Sequence, residues 1–167
     1  MPAPVHCGKQ IDVVRCAVLT VSDTRTPEND RGGRAIIERL EAAGHAIHAY
    51  EILKDDPDAI GEQVGALRDD AACQAILLTG GTGLAARDTT YEAVSRLLDK
   101  RLDGFGELFR MLSFEQVGAA AMLSRAVAGL CGRTALFAMP GSPKAVELAL
   151  DRLVLPELGH IAWLAQS

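Results

Sequence analysis

The sequence predicts an α/β domain with a mostly parallel sheet and helices on both faces, and three observations carry that expectation. Residues 75–79 (AILLT) form a wholly apolar run, which suits a strand inside a parallel sheet covered on both sides. Segments with apolar residues at helical spacing alternate with such runs along the chain. Polar or glycine-rich turns follow the strands, on the side where open sheets of this kind bind ligands.

In chain order, residues 15–22 (RCAVLTVS) read as a buried strand. The polar stretch 23–31, with Pro27, Asn29 and Asp30, is the loop after it. Residues 33–43 place Ala35, Ile36, Leu40 and Ala43 on one helix face, and Gly44 ends that helix. Residues 45–53 return to strand character. Asp56-Pro57 opens a helix to about residue 70, with aspartates where the helix dipole favours them. After the 75–79 strand, helices are expected at 90–100, 104–112 and 114–122, then a strand at 134–139 (TALFAM). A helix at 143–155 starts with proline, and a last helix at 156–164 is packed by Trp163.

A chain of 167 residues suits one domain, with residues 1–12 expected as a flexible leader and residues 13–167 as the domain. The net charge of −5 argues against nonspecific nucleic-acid binding, which needs a basic face to displace counterions. No segment approaches the roughly 18 apolar residues that span a bilayer, and the first ten residues lack a signal-like apolar stretch. A cytoplasmic protein without nucleic-acid or membrane partners is expected. Cys7, Cys16, Cys73 and Cys131 form no CxxC pair; Cys16, Cys73 and Cys131 adjoin apolar runs, as reduced buried thiols do. His45 and His48 flank a strand as packing or surface residues rather than metal ligands.

Chemistry concentrates in loops at strand ends. Thr79-Gly80-Gly81-Thr82-Gly83 follows AILLT; glycines let backbone amides approach an anion closely, although a tight connection without ligand explains the pattern equally well. The dinucleotide GxGxxG and the P-loop GK[ST] are both absent. Thr89 and Glu92 have capping-box spacing, which leaves Asp88 without a structural task and suited to a metal that bridges phosphates. In Met139-Pro140-Gly141-Ser142-Pro143-Lys144, Ser142 reads as an N-cap and Pro143 as the first helical residue. Lys144 in the first turn opposes the helix dipole by about 0.3–1 kcal/mol unless an anion sits there, and helix starts are ready phosphate sites. Ser22 and Asp23 end the first strand, with Asp30 and Gly32 closing their loop; Asp55-Asp56 ends the second, where helix-start aspartates need no further role.

The stretches TVSDTR (residues 20–25), LLTGGTGLAARD (77–88), GFGELFRMLSFEQVG (104–118), LSRAVAG (123–129) and AMPGSPKA (138–145) occur in this order. Together they resemble the MoaB/Mog family of molybdenum cofactor biosynthesis, close to its MoaB branch, over nearly all of residues 12–160. The resemblance implies a three-layer αβα molybdopterin-binding-like fold, a homo-oligomer (trimer or hexamer), and magnesium-dependent transfer of AMP from ATP to the terminal phosphate of molybdopterin. Motif by motif, it implies phosphate binding by Ser22 and Asp23, by Thr79, Gly80, Gly81, Thr82 and Gly83, and by Pro140, Gly141, Ser142 and Lys144. It further implies Asp56 and Asp88 as catalytic acids and magnesium ligands, and Glu107, Arg110, Ser124 and Arg125 as pterin-binding residues. The chain departs from the pattern at Tyr91, where a proline is usual. Some MoaB-branch members lose one or both acids, so the alternative is a non-catalytic molybdopterin-binding or scaffold protein of the same pathway; retention of Asp55-Asp56 and Arg87-Asp88 favours the enzyme.

A phosphate monoester is already ionised near neutral pH, so its attack on ATP needs no proton removed. Such transfers depend on positioning and on stabilising charge as pyrophosphate leaves. The two carboxylates therefore suit magnesium binding better than base catalysis.

Overall fold

The computed structural model describes residues 8–167. Six strands form one sheet: β1 (Arg15–Val21), β2 (Ala46–Leu53), β3 (Ala75–Thr79), β4 (Lys100–Arg101), β5 (Val127–Cys131) and β6 (Thr134–Met139), in the order β2-β1-β3-β6-β5-β4. The first four of these in space are parallel, while β5 runs antiparallel to β6 and β4 antiparallel to β5. The mostly parallel sheet expected from the sequence is therefore present. Every residue of β3 and β6 is buried, because helices cover both faces.

One layer contains α1 (Arg31–Ala42), α4 (Asp103–Val117), α5 (Pro143–Ala149) and α6 (Leu155–Gln166); its core includes Ile36, Leu40, Phe105, Phe109, Phe137 and Leu158. The other contains α2 (Pro57–Asp69) and α3 (Thr90–Leu97), which bury Ile60, Val64, Ala93 and Val94 against Leu19, Ile76 and Leu78. Burying each such large apolar side chain stabilises the fold by about 1.5–3 kcal/mol.

Several local expectations give way. α4 is one helix to Val117, followed by a 3₁₀ segment at Gly118–Leu123, because Ser113 is buried within it and breaks nothing. Strand β5 (VAGLC) was not legible; its Gly129 closely approaches the backbone of Lys100 and Arg101, a packing role that propensity does not register. Residues 143–166 wind without interruption through a π-turn at Leu150–Val154. Pro156 lacks the N–H that an α-helix would bond at that place, and the wider turn before it accommodates the loss.

Within the expected leader, Lys9 and Ile11 contact the last helix. Ile11 N–H donates to Gly159 O at 3.0 Å, Lys9 O lies 3.0 Å from His160 Nδ1, and Lys9 Nζ sits 5.7 Å from the Trp163 ring. Residues 1–7 of that expectation lie outside the described residues. Cys16, Cys73 and Cys131 are buried free thiols, and burial pushes Cys16 up to about 12 and Cys73 to about 11. Among the described residues, no helix is long and apolar enough to cross a membrane.

Candidate functional site

The chain passes from β1 to β2 on one side and returns across β1 to β3 and β6 on the other, so the strand order reverses at β1. Ligands on open α/β sheets bind beyond the carboxyl ends of the strands at such a point. A cleft of about 460 Å³ lies there, lined by Ser22, Arg25, Gly32, Gly80, Gly141 and Ser142 among others.

Its walls meet at unusually close range because they are glycines. Gly80 N–H donates to Met139 O at 3.0 Å and Thr79 Oγ1 donates to Pro140 O at 2.9 Å, which ties the two loops together. A Cβ on Gly32 would lie 2.9 Å from Gly141 O, so the start of α1 also abuts the β6 loop. Gly80 and Gly81 have φ of +97° and +67°, the left-handed region that other residues enter at a cost. Among the described residues, the N–H groups of Gly81, Thr82, Gly83 and Leu84 have no backbone or side-chain partner. A run of open amides on a glycine turn can receive an anion.

A buried aspartate cap and an exposed serine cap shape the rest. Asp30 caps α1 through Gly33 N–H at 2.9 Å, and its other oxygen accepts from Thr20 Oγ1 and Tyr50 Oη, both at 2.6 Å. Burial first, then the Asp30 hydrogen bond, push the Tyr50 phenol well above its usual range, which keeps it a donor. Ser142 caps α5 by accepting from Ala145 N–H at 3.2 Å. Ser22 Oγ accepts from Thr24 and Arg25 N–H at 3.2 and 3.0 Å.

Ser142 also lines a second cleft of about 840 Å³, together with Ser124, Pro140 and the exposed Lys144, against Phe109, Val117 and Leu148. The two clefts therefore share Ser142 at the start of α5. On the far side of Ser124 lies a smaller cleft of about 320 Å³ with Arg110, Arg101 and Tyr91. Ser124 Oγ is buried without a partner among the described residues, and Arg110 Nη1 donates to Ser124 O and Ala126 O at 3.4 Å. Glu107 lines neither of the clefts that share Ser124 and is exposed on α4.

The acids sort differently from the sequence expectation. Asp56 caps α2, accepting from Asp58 and Ala59 N–H at 3.4 and 3.3 Å, and it is exposed. Asp55, and not Asp56, faces the glycine loop. Asp55 Oδ1 accepts from both the N–H and the hydroxyl of Thr89, its own N–H donates to Asp23 Oδ1 at 3.1 Å, and its Oδ2 faces Gly81. Thr90 Oγ1 faces the same glycine, fully buried and without a hydrogen-bond partner among the described residues. The clue in the sequence was the pair Asp56-Pro57: proline at the first helical position makes Asp56 the N-cap and frees Asp55. Asp88 adjoins the same loop, near Gly83, with Oδ2 accepting from Ala85 N–H at 3.0 Å. Among the described residues, no three His, Cys, Asp or Glu side chains converge as a complete metal-binding set.

Arg125 lines the smaller cleft with Arg110 and Ser124, and its guanidinium is directed onto the glycine loop and Glu92.

Residues 17–160 match the family model described as a probable molybdopterin binding domain. The chain is 52% identical over 162 residues to molybdenum cofactor biosynthesis protein B of Bacillus subtilis, covering 96% of this chain and 95% of that one. A crystal structure of a molybdenum cofactor biosynthesis protein B superposes with a TM-score of 0.89 at 51% identity, over 92% of this chain and 96% of the other. The tungsten cofactor synthesizing protein MoaB of Pyrococcus furiosus superposes at 0.79 with 34% identity, over 93% and 98%. With the crevice, the glycine loop and the capped α5 in the places the motifs marked, this chain belongs to the MoaB/Mog family of molybdenum cofactor biosynthesis proteins.

Proposed function

We propose that this protein transfers AMP from ATP to the terminal phosphate of molybdopterin, with magnesium, and releases pyrophosphate. The observation that carries the reading is Ser142, which lines both the cleft over the sheet and the larger one beside α4. The first offers the Gly80 and Gly141 turns, Arg25 and the start of α1 to polyphosphate, with the open loop amides in the residues that follow Gly80; the second offers Lys144 and Ser124 beside apolar walls to a phosphorylated pterin. Two polyanions brought to one helix start need little acid–base chemistry and much positioning.

The donor set fits magnesium, a hard cation that takes oxygen ligands from one or two carboxylates, phosphates and water. Asp55 and Asp88 would hold it. Asp56 does not fit, because its carboxylate is occupied at the α2 cap. The partnerless hydroxyl of Thr90 beside Asp55 Oδ2 supports an oxygen-seeking occupant. The ion would supply charge neutralisation between phosphates, while Lys144 and the loop amides balance the remaining negative charge.

Copies of the chain associate, on this reading, through the outer face of α4. Leu108, Met111, Phe114 and Val117 are 46–61% exposed there, continuing to Met122 and Leu123. An apolar patch of that kind marks an interaction surface.

Purified protein incubated with ATP, magnesium and molybdopterin tests the transfer. Adenylylated molybdopterin and pyrophosphate are expected in equal amounts. Molybdopterin binding with no adenylylated product would instead favour a scaffold role in the same pathway.

A further inference from the structure

Arg125 uses its guanidinium on the glycine loop and on Glu92 at the start of α3. Nε donates to Gly83 O at 3.1 Å and Thr82 O at 3.4 Å; Nη2 donates to Gly83 O at 2.6 Å, Asp88 O at 3.3 Å and Glu92 Oε2 at 3.3 Å. Nη1 donates to Glu92 Oε1. The Tyr91 ring lies 5.0 Å from Cζ, close enough for a cation–π contact. Tyr91 itself is tied by its Oη, which accepts from Arg101 Nη2 at 3.3 Å. The residue that stands in place of the family's proline thus forms one face of this clamp.

In a planar trans peptide the carbonyl and the next N–H point in opposite directions. Holding Thr82 O and Gly83 O on one side therefore turns the N–H of Gly83 and of Leu84 to the other. Those are two of the open amides on the glycine loop. Holding Asp88 O fixes the backbone that carries the Asp88 carboxylate. A lysine has no planar fork of donors and cannot reach these acceptors together.

We infer that Arg125 is a positioning residue: it aims the Gly83 and Leu84 amides at the nucleotide phosphates and sets Asp88, and it does not bind the pterin. The inference rests on the proposed transfer reaction for its phosphate ligand. Glu92 and Tyr91 hold the guanidinium in place, Glu92 as a carboxylate whose pKa is lowered chiefly by its hydrogen bond to Arg125.

The test compares the native protein with Arg125→Lys and Arg125→Ala by amide NMR of the free protein, thermal unfolding, and separate titrations with ATP–magnesium and molybdopterin. In Arg125→Lys the Gly83 and Leu84 resonances shift, ATP affinity falls about tenfold or more, molybdopterin affinity stays within twofold, and the melting temperature changes little. Turnover measured at saturating ATP falls as well, because Asp88 is displaced. Loss of molybdopterin affinity with ATP affinity retained would make Arg125 a pterin ligand and overturn the inference. Equal loss of both affinities together with thermal stability would reduce it to a structural brace. Unchanged Gly83 and Leu84 resonances overturn the positioning itself, whereas a native protein that binds no ATP overturns the transfer reading and with it the catalytic consequence.

Discussion

Asp55 and Thr89 are joined twice: Asp55 Oδ1 accepts from Thr89 N–H at 2.9 Å and from its hydroxyl at 2.6 Å. The bond pair links the end of β2 to the start of α3 across 34 residues of sequence and leaves Asp55 Oδ2 facing Gly81. The neighbouring carboxylate, Asp56, is committed to its own helix.

The two aspartates should consequently fail in different assays. Asp55→Asn keeps the Thr89 contacts and removes a charge; AMP transfer is expected to fall about 100-fold, the scale of a lost electrostatic group, with the fold intact. Asp56→Ala removes an N-cap and should cost about 1 kcal/mol of stability with turnover per folded molecule unchanged. Thermal unfolding and initial rates on both variants check this. Reversed outcomes would return the catalytic place to Asp56.

Legibility followed the reach of each signal. Strands β1 and β3 and helix α1 announce themselves because burial and period act within a few residues. The glycine loop and the Ser142 cap could be placed for the same reason. Beyond the Asp56-Pro57 clue Asp55 could not, because its contacts with Thr89 and Gly81 are brought to it by a crossover connection. The contacts of Arg125 are hidden for a related reason: its acceptors are four backbone and side-chain groups far away in sequence. Strand β5 was hidden by a glycine that its close approach to β4 requires.

Gly81 should not tolerate a side chain. With φ at +67°, alanine there would cost about 1–2 kcal/mol in backbone conformation alone. Its Cβ would also meet Thr90 Oγ1 and lie 2.6 Å from Asp55 Oδ2. Gly81→Ala is therefore expected to lower the melting temperature and to weaken ATP–magnesium binding together. Gly65, whose added Cβ would meet nothing within 4 Å, provides the control: Gly65→Ala should leave binding unchanged and not destabilise the protein.

Acid should loosen the fold at His45. His45 Nδ1 accepts from Val14 N–H at 3.2 Å, so the folded ring is neutral with its proton on Nε2. Burial lowers its pKa from the ordinary 6.5. As pH drops below about 6.5, the unfolded chain takes up a proton that the folded chain resists, and stability declines until the lowered folded pKa is passed. Above 6.5 the contribution is complete. His45→Asn offers Val14 an acceptor that does not titrate, so the difference in urea stability between native and variant should narrow on acidification. A pH-independent difference would refute the assignment.

The outer face of α4 yields a prediction about assembly. Buried Phe105 and Phe109 and exposed Leu108, Met111, Phe114 and Val117 give this helix apolar residues on both sides, and only the first pair meets the core of its own chain. Phe114 is 61% exposed, so a charge introduced there stays in contact with water in the lone subunit but would be desolvated by a partner. Phe114→Glu should therefore keep its melting profile as a folded subunit while light scattering reports a fall from the oligomer's mass to the monomer's. Val117 belongs both to the strip and to the wall of the larger cleft, so the monomeric variant should also bind molybdopterin more weakly than the native protein. A native protein already monomeric, or a variant of unchanged mass, would place the interface elsewhere.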